Sequence, residues 1–152
     1  MSGPLLDPAD PAHARVADRL AAEPILWFGT VSADGRPHSV PVWFLFADPV
    51  VLVFSRPDTA KIGRLAQRPG VALSLDTAAG GTDVVIAEGT ARPGTGEPAD
   101  ELVSAFAGKY AATLGEGFAK WRETFSRPVP VDLDRIVAWW PGPGGLDRVA
   151  VR

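Results

Sequence analysis

Basic side chains are concentrated in one short stretch of the sequence: Arg56, Lys61, Arg64 and Arg68. Asp58 and Thr59 have the side-chain oxygens favoured at a helix N-cap, and Ile62 and Leu65 recur at helical spacing, so a helix is expected to begin near Thr59. Lys61 would then lie in the first turn, where backbone N–H groups are unpaired and the helix dipole is positive. The stretch therefore predicts an anion site of the kind that holds phosphate groups.

A second interpretation of this stretch stays open, because basic residues on the outer face of an amphipathic helix are commonly no more than a solvated surface. The position of the stretch favours binding. It directly follows an apolar run, 50–54, that predicts a strand, and anion sites are often built where a helix begins after a strand. The local positive charge also opposes the formal net charge of −3 of the whole chain.

Composition excludes several classes of function. The chain has 152 residues, of which 46% are hydrophobic, enough for one domain with a substantial core. A sequence pI near 5.3 argues against general nucleic-acid binding. The sequence contains no cysteine, which excludes disulfides, thiolate catalysis and thiolate zinc sites. No signal peptide and no apolar run of membrane-spanning length are evident, so a cytoplasmic location is expected.

Familiar catalytic signatures are also missing from the sequence. The histidines, His13 and His38, do not form a His-Glu-x-x-His motif, and there is no Gly-x-Ser-x-Gly elbow, Walker loop or dinucleotide fingerprint after a predicted strand. We therefore assign no catalytic residue and no metal ligand. Asp132 and Asp134 alternate with apolar residues and are interpreted as the outer face of a strand rather than a catalytic pair.

The elements that must position the basic stretch follow from apolar periodicity and turn residues. Helices are predicted over 12–22, from about 59 to 70, over 97–114 and over 116–125; strands are predicted over 25–31, 38–46, 50–54, 71–76, 84–91 and 131–140. Residues 1–11 are expected to be a mobile arm, 12–141 the domain, and 142–152 a flexible tail. Six strands joined mainly by hairpin-length loops predict a mainly β fold with flanking helices, an antiparallel barrel.

An anion site beside the apolar, aromatic wall of such a barrel would suit a cofactor with a phosphate at one end and a flat ring at the other. In that arrangement the cofactor performs the difficult chemistry, and the protein supplies binding and orientation. No side chain need then act as acid or base.

The segments 25–37, 41–44, 54–57, 60–65 and 83–91 resemble the pyridoxamine 5'-phosphate oxidase-like superfamily of split β-barrels. Within it they are most similar to the actinobacterial oxidoreductases that depend on the deazaflavin coenzyme F-420. The resemblance implies a six-stranded split barrel of the FMN-binding type. It also implies a homodimer whose cofactor lies in a groove at the subunit interface.

The resemblance further implies roles for individual residues. Lys61 would hold the cofactor phosphate, and the strand residues Pro41, Val42 and Trp43 would lie against the ring system. The same pocket would be lined by Ser55, Arg56, Thr59 and Ala60. Arg64 and Arg68 would suit the acidic oligoglutamate tail of F-420.

The function implied is hydride transfer from reduced F-420 to a small unsaturated organic substrate. The chain ends in Pro-Gly-rich sequence and lacks the arginine-bearing C-terminal motif of true pyridoxamine phosphate oxidases, which argues against that substrate. Alternatives are an FMN-dependent oxidase or reductase on the same fold and a non-catalytic flavin or deazaflavin carrier. A binder of single-stranded nucleic acid is weaker, because the pI is acidic. Substrate preference is expected to depend on the loop 77–82 and on the helical segment after Glu97.

Overall fold

The computed structural model of the chain describes residues 3–76 and 79–152. Met1 and Ser2 of the predicted arm, and Thr77 and Ala78 of the loop expected to influence substrate preference, lie outside the described residues. The strands are β1 Leu26–Val31, β2 Pro37–Val42, β3 Leu45–Ala47, β4 Val50–Ser55, β5 Gly70–Leu75, β6 Val84–Ala91, β7 Arg127–Gly142 and β8 Gly145–Val151. The helices are α1 Pro11–Ala22, α2 Ala60–Gln67, α3 Asp100–Lys109, α4 Ala111–Leu114 and α5 Phe118–Thr124, with a 3-10 turn at Ala79–Gly81.

These strands form one curled antiparallel sheet in the order β2-β1-β5-β6-β7-β4-β3, and β8 pairs with β7. The long strand β7 connects the two halves of the sheet. Its first part pairs with β4, its last part pairs with β8, and β6 lies along its other edge. The prediction of a mainly β, antiparallel fold with flanking helices is confirmed.

The prediction of six strands is wrong, because the described residues form an eight-stranded sheet. The strand predicted over 38–46 is divided at Trp43 and Phe44: β2 pairs with β1, whereas β3 pairs with β4. At the break the N–H of Phe44 donates to the hydroxyl of Tyr110 and not to a neighbouring strand. A side chain therefore replaces the ladder bond where the chain changes strand partner.

The second difference is at the C-terminus, where the sequence predicts a flexible tail and the structure has strand β8. Gly142 pairs with Gly145 across the short connection between β7 and β8, so the Pro-Gly-rich segment is a tight hairpin turn. Gly145 has a φ of +124°, a conformation that favours glycine. The sequence predicts the start of a flexible tail at this position, whereas the structure has a turn between two paired strands.

The N-terminal arm is also better anchored than its composition predicts. The backbone N–H groups of Leu5 and Leu6 each donate to the carboxylate of Asp48 at 2.8 Å, and Leu6 is buried in the main core. Helix α1 then begins at Pro11, directly after its N-cap residue Asp10, and ends at Ala22, in agreement with the helix predicted over 12–22. Arg19 of α1 forms a 2.8 Å ion pair with Asp83, which joins the helix to the start of β6.

Apolar side chains form two buried clusters, and the smaller one bears on the site. The main core fills the inside of the curled sheet beneath α1 and α2. The smaller cluster lies between β4 and the helices α3 to α5 and includes Leu52, Phe54, Phe106 and Tyr110. No helix in the described part of the chain is long and apolar enough to cross a membrane. The cytoplasmic location stays a prediction.

Candidate functional site

Helix α2 forms where the sequence predicts it, and its N-terminus is open. Thr59 is the N-cap residue with an extended backbone, but its side chain makes no capping hydrogen bond. The Thr59 hydroxyl instead lies 3.2 Å from Oγ of Ser55 and 3.3 Å from the carbonyl oxygen of Arg56. The Thr59 side chain therefore does not cap the first-turn N–H groups of α2, and the positive end of the helix remains available to an anion.

Lys61 lies in this first turn and is half-buried. Its Nζ is 5.5 Å from the centroid of the Phe28 ring, and within residues 3–76 and 79–152 no carboxylate lies within ion-pair distance of it. Burial lowers the pKa of the Lys61 ammonium group below its ordinary value of 10.5, because the charged form loses hydration that nothing replaces. A desolvated ammonium group without a counter-ion is what an anion site requires.

A cavity of about 360 Å³ opens on one side of Lys61, and we call it the aromatic cavity. It is lined by Ile25, Pro41, Val42, Trp43, Phe54, Ser55, Arg56, Thr59, Lys61, Trp121 and Phe125. A second cavity of about 340 Å³, the basic cavity, opens on the other side. It is lined by Phe28, Thr30, His38, Val40, Pro41, Thr59, Ala60, Lys61 and Arg64. Pro41, Thr59 and Lys61 line both cavities, so the two share a boundary.

The structure thus brings the residues assigned to the pocket around one lysine. Pro41, Val42 and Trp43 line the aromatic cavity together with Ser55 and Arg56, whereas Ala60 and Arg64 line only the basic one. Arg68 is not brought in: it caps the C-terminus of α2, and its guanidinium donates to the carbonyl oxygen of Ala33 at 2.9 Å. That these residues bind a cofactor stays a prediction.

Electrostatics and shape differ between the two cavities. No carboxylate in the described ranges lines either of them, while Lys61 borders both, Arg56 adds a second cation to the aromatic cavity and Arg64 adds one to the basic cavity. Most other side chains of the aromatic cavity are apolar, and Trp43 and Trp121 stack with centroids 5.4 Å apart. Such a site can hold a flat ring at one end and an anionic group at the other.

The sequence did not identify Trp121 and Phe125 as part of the site. Both come from α5, which the sequence predicts as a helix, and Phe118, Trp121 and Phe125 at steps of three and four indicate one aromatic face. That spacing could have indicated a buried face. It could not have shown that the face packs against β4, because α5 is far from that strand in sequence. His38, which the sequence did not assign to the site either, is exposed and lines the basic cavity.

Across 3–76 and 79–152, no three histidine, aspartate or glutamate side chains are grouped as candidate metal ligands. The chemistry that the two cavities can supply is binding and orientation of a ligand by cations, backbone N–H groups and aromatic rings.

Comparison with known proteins gives one match to a sequence family. The family described as Pyridoxamine 5'-phosphate oxidase matches residues 12–132, which include β1 to β6, the start of β7 and all the helices except the first residue of α1, Pro11. No curated protein matches the sequence.

Several solved structures resemble this one. A conserved hypothetical protein of Mycobacterium tuberculosis is 17% identical with a TM-score of 0.67, over 91% of this chain and 88% of that chain. General Stress Protein 26 of Bacillus anthracis is 19% identical with a TM-score of 0.62, over 82% and 91%. HutZ, the heme storage protein of Vibrio cholerae, is 11% identical with a TM-score of 0.65, over 85% and 93%. At these identities the similarity establishes a shared fold.

Proposed function

The chain belongs to the pyridoxamine 5'-phosphate oxidase family and has its split-barrel fold, and from that premise we propose that it is an oxidoreductase dependent on coenzyme F-420. Lys61, Arg56 and the first turn of α2 hold the cofactor phosphate. Pro41, Val42 and Trp43 lie against the ring. When bound, the deazaflavin supplies a hydride, which is transferred to a small unsaturated organic substrate.

Lys61 supports this proposal most directly. It combines partial burial, a lowered pKa, an uncapped helix N-terminus and the absence of a carboxylate partner in the described part of the chain. A lysine on a merely solvated helix face would extend into water and keep its ordinary pKa. The phosphate of a cofactor restores the stabilisation that burial removes from the ammonium group, and charge-assisted hydrogen bonds of this kind are among the strongest available.

The basic cavity favours F-420 over FMN. FMN ends at its phosphate, so a site for FMN needs cations only at the boundary between the two cavities. F-420 continues beyond its phosphate into an acidic tail. Arg64 and the exposed His38 line the basic cavity, which shares Lys61 with the aromatic cavity, and the tail would lie there.

The residues around the ring orient the cofactor and exclude water. Ile25, Val42, Phe54 and the tryptophans present apolar surface to the aromatic cavity, and no carboxylic acid among the described residues lines it. We therefore expect solvent, and not a side chain, to supply the proton that the reduced substrate takes up. We propose no narrower substrate class than a small unsaturated or conjugated organic compound.

Titration of the purified protein with F-420 and with FMN tests the proposal. We expect F-420 to bind more tightly than FMN, and Lys61→Ala to weaken binding of either by about 10- to 100-fold, the value of a charge-assisted hydrogen bond. Arg64→Ala should weaken F-420 and leave FMN unchanged. Arg68→Ala is the matched control, because Arg68 lies on the same helix outside both cavities.

Other outcomes would replace the first choice by a named alternative. Tighter binding of FMN, with no oxidation of reduced F-420 by any acceptor, would indicate an FMN-dependent oxidase or reductase. Binding without turnover across a panel of acceptors would indicate a carrier. Because the structural neighbour HutZ is a heme storage protein, hemin belongs in the same titration, and a Soret shift with a tighter Kd than either flavin would overturn the proposal.

We further propose a homodimer with the cofactor at the subunit interface. A broad cavity of about 620 Å³ lies on the sheet face of β1, β2, β5 and β6. Trp27, which lines this cavity, is 38% exposed, and Val40, which lines the basic cavity, is 40% exposed; both are large apolar side chains. Thr30 and His38 line both this sheet-face cavity and the basic cavity, so a second copy seated on the face would border the cofactor. Light scattering of the wild type and of Val40→Asp tests this: a monomeric wild type that binds the cofactor would contradict it.

A further inference from the structure

Helix α5 contributes aromatic rings to the aromatic cavity from outside the sheet. Trp121 and Phe125 line this cavity together with Lys61 and Arg56. Their helix has seven residues, no side-chain N-cap and no buried residue, and α4 before it is a single turn. Helices this short are not stable by themselves. The position of the two rings must therefore depend on contacts made by side chains.

Packing around Trp121 is extensive but leaves part of the ring free. Its ring lies 4.7 Å from Phe125 and 5.6 Å from Phe106, measured between centroids, and meets Phe54 edge-on at 6.1 Å. Even so, both Trp121 and Phe125 are only half-buried. Both residues line the cavity that Lys61 also lines, so a flat ring anchored there through its phosphate would meet these aromatic side chains.

The residue after Trp121 fixes the helix to a loop. Arg122 donates to both carboxylate oxygens of Glu97, at 2.8 and 3.1 Å, and its guanidinium carbon lies 3.9 Å from the centroid of the Phe54 ring. The Arg122 side chain is 16% exposed. The hydrogen bond from Arg122 lowers the pKa of the Glu97 carboxyl, so the pair is ionised at neutral pH. This two-pronged contact ties α5 to the segment before α3, while the cation–π contact ties it to β4.

We propose that Trp121 and Phe125 bind the ring of the planar ligand, and that the Arg122–Glu97 pair positions them. This inference rests on the proposed function, because it requires that the phosphate end be held at Lys61. It assigns the two ends of the ligand to different parts of the chain. The phosphate is held by α2 and the ring by α5, a helix that reaches the site only through side-chain packing.

The binding contributions of the two ends of the ligand can be measured separately with pairs of ligands that differ only in the phosphate-bearing part. The pairs are FMN with riboflavin, and F-420 with its phosphate-free deazaflavin chromophore. Trp121→Leu is expected to raise the Kd of both members of a pair by the same factor, about tenfold, because it removes ring contact from each. Lys61→Ala should raise the Kd of the phosphate-bearing member alone. Trp139→Leu is the matched tryptophan control, since Trp139 lines neither cavity within the described ranges.

Each result separates failure of this inference from failure of the proposed function. If Lys61→Ala acts selectively on the phosphate-bearing ligand while Trp121→Leu changes neither, α5 does not bind the ring and only this inference is overturned. If Lys61→Ala has no effect on either member, the proposed function fails first. Should Trp121→Leu prove unfolded by circular dichroism, Phe125→Leu replaces it, with about a threefold effect expected on both members.

The positioning role of Glu97 has its own test. Glu97→Gln should raise the Kd of both members of a pair by about threefold in the wild-type background and have no effect in a background that carries both Trp121→Leu and Phe125→Leu, because Glu97 acts through those two rings. A general structural effect would add in both backgrounds. Equal factors in the two backgrounds would therefore overturn the positioning role.

Discussion

The indole ring of Trp43 and the phenol ring of Tyr110 are stacked, with centroids 4.4 Å apart and planes inclined by 4°. The same tyrosine accepts a hydrogen bond from the N–H of Phe44 at 2.8 Å, and its hydroxyl donates to the carbonyl oxygen of Pro24 at 2.9 Å. One residue at the end of α3 thus closes the gap between β2 and β3 and fixes the ring that lines the aromatic cavity. The break in the predicted strand and the placement of Trp43 have one cause.

Tyr110→Phe is expected to lower the free energy of unfolding by about 1–3 kcal/mol, because the buried N–H of Phe44 loses its acceptor while the ring stack is retained. Chemical denaturation measures the change. Ligand binding to the folded variant should weaken much less than it does in Lys61→Ala, since Trp43 keeps its stacking partner. A variant as stable as the wild type would show that water replaces the hydroxyl at the strand break.

Binding of a phosphate-bearing ligand should depend on pH through Lys61. Burial lowers the pKa of Lys61 below 10.5, so as pH rises the lysine loses its charge earlier than an exposed lysine would, and the Kd should rise correspondingly. The measurement is a titration with FMN or F-420 from pH 7 upward. Lys61→Arg should flatten the profile, because a guanidinium stays charged throughout this range. Riboflavin provides the control and should show no such dependence.

The sequence predicted α2 and its basic first turn because those signals are local: an N-cap residue, a helical apolar spacing and charges at steps of three and four. It could not predict Trp121 at the site, because docking of α5 on Phe54 depends on contacts distant in sequence. The strand predicted across Trp43 and Phe44 failed for the same reason, since its continuity depended on Tyr110. At Gly142–Gly145 the sequence signal is local but ambiguous, because Pro-Gly sequences suit both a flexible segment and a tight turn.

Stability should pass through a maximum near pH 10, because Lys109 and Tyr110 titrate in opposite senses. Burial lowers the pKa of Lys109 from 10.5 to about 8, so between these values the unfolded chain holds more protons and the free energy of unfolding rises with pH. Burial raises the pKa of Tyr110 from 10.0 to about 12, so above pH 10 the unfolded chain loses its proton first and stability falls.

Thermal unfolding from pH 7 to 11 measures this profile. The rise attributed to Lys109 should be about 1 kcal/mol, allowing for solvent around a half-buried amine. Burial also lowers the pKa of Lys61, so the test is made in a Lys61→Met background, where Lys109→Met should remove the rise between pH 8 and 10 and leave the fall above pH 10 in place. A rise that persists in this double variant would assign it to another group.

Gly89 is expected to tolerate no side chain. It lies at the bulge where β6 changes register against β7, and a Cβ atom there would overlap the carbonyl oxygen of Asp132 and approach Cγ1 of Val131 to 2.9 Å. Because the obstacle is backbone in the middle of the sheet, Gly89→Ala should destabilise the protein by about 1–3 kcal/mol. Gly63→Ala in α2 is the matched control: nothing lies within 4 Å of its Cβ, and removing a helix-interior glycine should stabilise by about 0.5–1 kcal/mol. Urea denaturation of both variants compares them directly, and equal effects would mean that the β6–β7 bulge can relax around a methyl group.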